Sequence, residues 1–352
     1  SLKLKNKSFI TVILSLLFLA AYYFVYYKAQ ALITLLVENA AVYGMKIRGS
    51  AYLLYLFGCV GAGDWLAMGI VTVTQAALLA LTLWGIARSF LKIATATGSV
   101  KKVRFEHKAV RAQSTQRALF GKELRRFTAS PNYMLNCGLG ILMLLAAGIA
   151  LLIKGRALAQ LLDGVFGAGA DIVPVLLSAA LCLLASMNDM AAPSVSLEGK
   201  NLWLAQSLPV TPWQVLRAKL EMQLLLTGVP MLFCALCAVI TLPGGAAEMA
   251  LAVVVALLYT LLSALAALAL GLKMPNLTWT NETTPIKQSG SVMLALFANW
   301  FYAIALGGLY FLCGRYLSAA AYLALAAAIT AAVCALLLRW VKQRGTRIFA
   351  AL

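Results

Sequence analysis

Apolar residues in this chain fall into long unbroken runs. Eight stretches contain no Asp, Glu, Lys or Arg: 8–27, 66–87, 133–153, 172–188, 222–242, 249–271, 291–313 and 319–338. A helix rises about 1.5 Å per residue, so about 20 apolar residues cross about 30 Å of hydrocarbon. Each stretch therefore predicts a transmembrane helix. Polar residues do not alternate with apolar ones inside the runs, which excludes the strands of a membrane β-barrel. The pattern predicts an all-α, polytopic membrane protein with about eight transmembrane helices.

The basic residues between the runs set a direction. With a cytoplasmic N-terminus, 23 Lys and Arg fall in inside segments and 6 in outside segments. The positive-inside rule then places both termini in the cytoplasm. Outside connectors 243–248 and 314–318 are short, so their flanking helices are antiparallel neighbours. The outside segment 28–65 is long, and its apolar run 51–60 is too short to cross. It reads as a surface-lying or re-entrant helix pair on the outer face.

Composition agrees with this partition. The chain has 352 residues, 63% hydrophobic and 11% charged. Soluble domains are about 45–50% apolar and about 25% charged. The net charge of +18 would suggest nucleic acid in a soluble protein, but here it is explained by basic loops facing the cytoplasm. Six of the seven Cys lie inside the runs, where a thiol is a small apolar filler. Cys234 and Cys237 form a CxxC with no second pair or His cluster nearby, so no metal or redox centre is expected.

Three inside segments are too structured to be plain linkers. In the first, 88–131, the stretch TQRALFGKELRRFTASP places Phe120, Leu124 and Phe127 on one helical stripe, with Lys122, Arg125 and Arg126 on other faces. This predicts an amphipathic helix over 117–127, lying in the interface against anionic headgroups. In the second, 190–219, apolar Leu197, Leu202, Trp203, Leu204 and Leu208 sit beside Glu198 and Lys200, between prolines 193, 209 and 212. In the third, 272–289, Trp279, Asn281, Glu282 and Lys287 sit in LKMPNLTWTNETTPIKQS. Its two Asn-x-Thr patterns face the cytoplasm in this topology and are discounted as glycosylation sites.

The segments KELRRFTASPNYMLNCGLG, SVSLEGKNLWLAQSLPVTPWQVLRAK and LTWTNETTPIKQS resemble the permease subunits of bacterial ATP-binding-cassette exporters of the type-2 class. The resemblance covers nearly the whole chain. It implies the type-2 exporter transmembrane fold, in the plasma (inner) membrane of a bacterium. Residues 1–90 would be the last two spans of a first transmembrane half, with the insertion 28–65 on the outer face. Residues 91–131 would be a basic linker and interfacial helix. Residues 132–352 would be a six-span second half with coupling elements at 190–219 and 272–289. Four spans of a double-length permease would then precede Ser1. The resemblance also implies that Glu198, Gly199, Lys200, Asn201 and Trp203 sit in a groove of a separate, dimeric ATPase. Trp279, Asn281 and Glu282 would form a second contact with it.

The chain has no GxxxxGK[ST], HExxH or GxSxG, and its single His107 lies in a basic loop. ATP binding is expected on a partner chain, with no catalytic residue, metal or cofactor here. The runs hold neutral polar groups only, of which Asn299, near mid-span, is the candidate for a transport pathway; an interhelical hydrogen bond is its structural alternative. Proton- or sodium-driven carriers place acidic groups at membrane depth, so their absence favours ATP coupling. A secondary transporter or channel is the alternative, and a membrane-embedded enzyme a weaker one.

Overall fold

The structure is a computed structural model that describes residues 7–38, 48–49, 52–94, 113–167 and 172–352. The basic linker residues 95–112, including His107, and part of the expected outer insertion lie outside the described residues. The chain divides into two units, residues 15–111 and residues 1–14 with 112–352. Every described regular element is helical.

The smaller unit holds most of α1 (Lys7–Glu38), with α2 (Tyr52–Gly61) and α3 (Trp65–Ala94). Helix α1 runs through Lys28 to Glu38, well past the expected end at residue 27. Helix α2 has ten residues, or about 15 Å, too short to cross, as expected for 51–60. It folds back onto α3 through a tight turn at Gly63, whose φ of 87° suits glycine. Asp64 starts α3 by accepting hydrogen bonds from the amides of Leu66 and Ala67 at 2.9 and 3.3 Å. Leu56, Ala67 and Val71 form the buried contact between the two helices.

The larger unit begins with α4 (Thr115–Ala129), α5 (Pro131–Cys137), α6 (Leu139–Phe166) and α7 (Val173–Ala185). Next come α8 (Ala191–Ser194), a 3-10 segment (Ser196–Asn201) and α9 (Leu202–Ser207). The rest is α10 (Pro212–Thr241), α11 (Ala246–Lys273), α12 (Thr283–Lys287), α13 (Gly290–Cys313), α14 (Ala319–Trp340), a π segment (Val341–Gly345) and α15 (Thr346–Ala351). Helix α11 is central and packs against α7, α8, α10, α13 and α14. Its buried face carries Ala252, Ala256, Ser263, Ala264, Ala267 and Gly271, small side chains that allow close approach. Gly271 sits directly under the Ala192 carbonyl, where any side chain would clash. The Ala-rich α14 packs on α11 through Leu323, Thr330 and Cys334, while Leu325, Ile329 and Leu336 stay on its open side.

Seven stretches among the described residues are long and apolar enough to cross: Ser8–Ala29, Trp65–Phe90, Leu139–Phe166, Pro212–Thr241, Ala246–Lys273, Thr283–Cys313 and Ala319–Ala351. The eighth expected span, 172–188, is corrected. Helix α7 has 13 residues, about 20 Å, shorter than a full span, yet it runs from Pro174 beside Gly244 to Asn188 beside Gly140 and so returns the chain to the end where α4 lies. It ends because Ser186, Asn188 and Asp189 favour turn geometry over helix, and Pro193 follows. Two other boundaries shift. Helix α6 starts after a break at Gly138 and continues through Lys154 and Arg156, which were expected in a loop. Helix α10 starts at Pro212, so Arg217, Lys219 and Glu221 belong to a 30-residue helix and not to the preceding connector. Its start is fixed by a capping box, in which Thr211 and Gln214 satisfy each other's free amides.

Candidate functional site

The three segments singled out in the sequence meet at one end of the larger unit. Helix α4 supplies the first wall. Its buried residues are Leu119, Glu123 and Phe127, so the expected apolar stripe is shifted and includes a carboxylate. The charged flank faces protein. Lys122 reaches Glu198 at 3.0 Å, and Arg126 reaches Glu198 at 2.6 Å and Glu123 at 3.5 Å. Arg117 and Arg125 remain exposed.

Lys219 of α10 is the centre of the arrangement. It is 0% exposed, and its ammonium donates to Glu123 Oε1 at 3.0 Å, Glu198 Oε1 at 2.9 Å and the Ser194 carbonyl at 3.0 Å. These three acceptors match the three N–H bonds of an ammonium. A buried lysine must be paired this fully, because an unpaired one loses its proton or unfolds the site. Two residues along, Glu221 accepts from Gln116 at 2.8 Å and from Arg217 at 2.7 Å. Helices α4 and α10 and the segment between α8 and α9 are thus joined by buried charge. Burial alone would raise the pKa of Glu198. Lys219, Arg126 and Lys122 outweigh that and hold its carboxyl far below the usual range.

The third segment closes over the second. Trp279 Nε1 donates to the Ser196 carbonyl at 2.6 Å, and the Asn276 amide donates to Ser196 Oγ at 3.0 Å. The indole lies against Gly199, which has a φ of 54°. A Cβ there would sit 3.2 Å from Trp279 Nε1. Only glycine meets both demands. Glu282 accepts from Ser130 Oγ at 2.9 Å, and Asn132 Nδ2 donates to Thr283 Oγ1 at 3.2 Å, which ties this loop to the α4–α5 corner. Asn281 caps the start of α12 through the Thr283 amide at 3.0 Å.

The expected contact residues therefore separate into two groups. Glu198 and Gly199 are buried, and Trp279 is half-buried, so all three build the platform. Lys200, Asn201 and Trp203 lie on its open surface, with Trp203 60% exposed beside exposed Leu204 and Leu208. Asn281 and Glu282 are also exposed. Helix α9 produces this split. Leu202 and Ala205 face inward, which turns Trp203 and Leu204 outward. Asn299 is elsewhere, buried, and donates to Ser263 of α11 at 3.0 Å. Its side chain makes the interhelical bond that was the structural alternative to a pathway role.

Sequence reasoning missed Glu123 and Lys219. Both looked like ordinary members of basic connectors. The available signal was scarcity: with 11 acidic residues among 29 basic ones, an acidic residue at a helix face is a strong candidate for a structural ion pair. Elsewhere in the unit, α6, α7 and α10 border a half-open pocket of about 520 Å³ lined by Leu151, Leu177, Leu181, Cys234 and Leu242, with Lys154 as its charged lining residue.

A family model described as "Membrane protein of 12 TMs" matches residues 4–339. The chain belongs to that family. The match spans both units and fits a helical, multi-span membrane protein. No curated protein and no solved structure matches this member of the 12-TM family.

Proposed function

We propose that this chain is the membrane-spanning permease subunit of an ATP-driven exporter, with the type-2 transmembrane fold and a separate dimeric P-loop ATPase as its partner. The supporting observation is the exposed Trp203–Leu204–Leu208 patch carried on a platform of buried ion pairs. Exposed aromatic and aliphatic groups on a polar connector favour a protein partner, and a rigid base transmits the partner's motion. Lys219 and Glu198 couple that base to α10, so displacing the patch would displace a long helix.

In this reading the patch faces the cytoplasm, as do both termini, in a bacterial plasma membrane. Lys200 and Asn201 supply its polar rim, and the loop bearing Asn281 and Glu282 supplies a second contact. Lys122 and Arg126 are engaged internally, which leaves Arg117 and Arg125 on α4 for anionic headgroups. The mostly apolar pocket beside α7 suits an apolar or amphiphilic substrate.

Affinity capture of the tagged chain from gently solubilised membranes tests the reading. A P-loop ATPase should co-purify, and Trp203→Asp should abolish its capture while leaving the chain monodisperse. If no ATPase co-purifies, or if Trp203→Asp leaves capture unchanged, the proposal fails. Trp203 is the residue to change because its exposure spares the fold, whereas Glu198 is structural.

A further inference from the structure

The larger unit buries three carboxylates near this end, and two of them are neutralised. Glu123 and Glu198 have Lys219, Arg126 and Lys122. Asp189 has no such partner. It follows α7 in the connector to α8 and is 4% exposed; the donor beside it is the Ala192 amide, which falls short of full hydrogen-bond geometry to either oxygen. The short α7 and the turn after it fold this carboxylate into the protein.

Its position is not a loose loop. Gln223 Nε2 donates to the Asn188 carbonyl at 3.0 Å, and Gln223 Oε1 accepts from the Ala191 amide at 2.7 Å. Tyr133 OH donates to the Met190 carbonyl at 2.7 Å. Residues 188–191 are therefore held from α5 and α10 at once. Further buried polar atoms near this connector also lack partners. They are both side-chain atoms of Asn188, Thr227 Oγ1 and Tyr259 OH. Asn188 packs against Gly140, and Thr227 is one turn beyond Gln223 on α10.

No neighbouring charge stabilises an ionised Asp189. Tyr133 and Cys137 of α5 and Tyr259 of α11 lie within electrostatic range, and all are uncharged at neutral pH. Helix α13 carries no charged residue. On α10, Lys219 is saturated and Arg217 is paired with Glu221. On α11, Glu248 and Lys273 lie in the first and last turns. On α6, Lys154, Arg156 and Asp163 begin about 21 Å along the helix from Gly140. A carboxylate in such surroundings takes up a proton in preference to remaining charged. Burial pushes Asp189 up to about 7, with the Ala192 amide lowering it in part.

We propose that Asp189 is an exchangeable proton site of this bundle, protonated while the α7–α8 connector is packed and deprotonated when that connector opens to water. The step is an acid dissociation. The carboxyl O–H bond breaks, its electron pair stays on Asp189, and the proton passes to water. The proposal goes beyond ATP coupling and does not depend on it. It supplies the acidic group that the apolar runs lack.

The test is infrared difference spectroscopy of the purified full chain in lipid nanodiscs, titrated between about pH 5 and about pH 9. A protonated-carboxyl band should fade around neutral pH in the wild type and be absent in Asp189→Asn. The band should move in Asp189→Glu, which is read if Asp189→Asn does not fold. No titrating band, or one that is unchanged in these variants, overturns the proposal. Sodium added at fixed pH should leave the midpoint where it was. A midpoint that shifts with sodium would mean that these oxygens hold a metal cation, which also overturns it.

Discussion

Replacing Lys219 by Met tests whether the platform is held by its buried charges. The substitution keeps the length of the stem and removes the ammonium. In the wild type that group makes bonds of 3.0, 2.9 and 3.0 Å to Glu123, Glu198 and the Ser194 carbonyl, with no exposure to water. Without it, Glu198 keeps Arg126 at 2.6 Å and Lys122 at 3.0 Å, whereas Glu123 keeps only the longer Arg126 contact at 3.5 Å among the ion pairs of the described residues. The destabilisation therefore falls mainly on Glu123. Removing one partner of a buried pair costs about 3–5 kcal/mol, because the remaining charge stays desolvated. Glu123→Gln in the same chain neutralises that charge, so the double variant should recover at least about half of the loss. The assay is denaturant unfolding of the purified chain in lipid nanodiscs, completed as a double-mutant cycle. A loss below about 1 kcal/mol for Lys219→Met would refute the reasoning, since surface pairs are worth no more. So would a double variant no more stable than Lys219→Met alone.

Three further outcomes follow from the same geometry. Gly199→Ala places a Cβ at a φ of 54° against the Trp279 indole and should cost about 1–3 kcal/mol, read by the same unfolding assay. Asn299→Val should cost about 0.6–1.7 kcal/mol through the lost bond to Ser263, with any transport activity unchanged; selective loss of transport at full stability would restore Asn299 to a pathway. Glu198 has a folded-state pKa below its ordinary value of 4.5, so its contribution is complete above that pH and is lost as pH falls beneath it. Thermal scans should show a drop in stability on acidification below about pH 4.5 that is smaller in Glu198→Gln.

The sequence by itself determined that the chain lives in a bilayer and where most of its spans lie. Runs such as 249–271 and 319–338 have no other favourable solvent, so composition alone settles them. It also pointed to three connectors worth following, because apolar residues such as Leu197, Leu202 and Trp203 do not belong in a solvated linker. What it could not supply was partnership. Glu198 and Trp203 are five residues apart and looked alike as contact groups. Only packing separates them, through a buried Lys219 supplied by α10 and an inward-facing Leu202. Residues 172–188 passed every test of length and apolarity, yet the helix stops at Ala185, because Ser186, Asn188 and Asp189 turn the chain there and Gln223 and Tyr133 hold that turn. The same packing decides whether an acidic residue is neutralised. Glu123 and Asp189 are equally hidden in the structure, but only one has a cation within reach, and that depends on contacts between residues far apart in the chain.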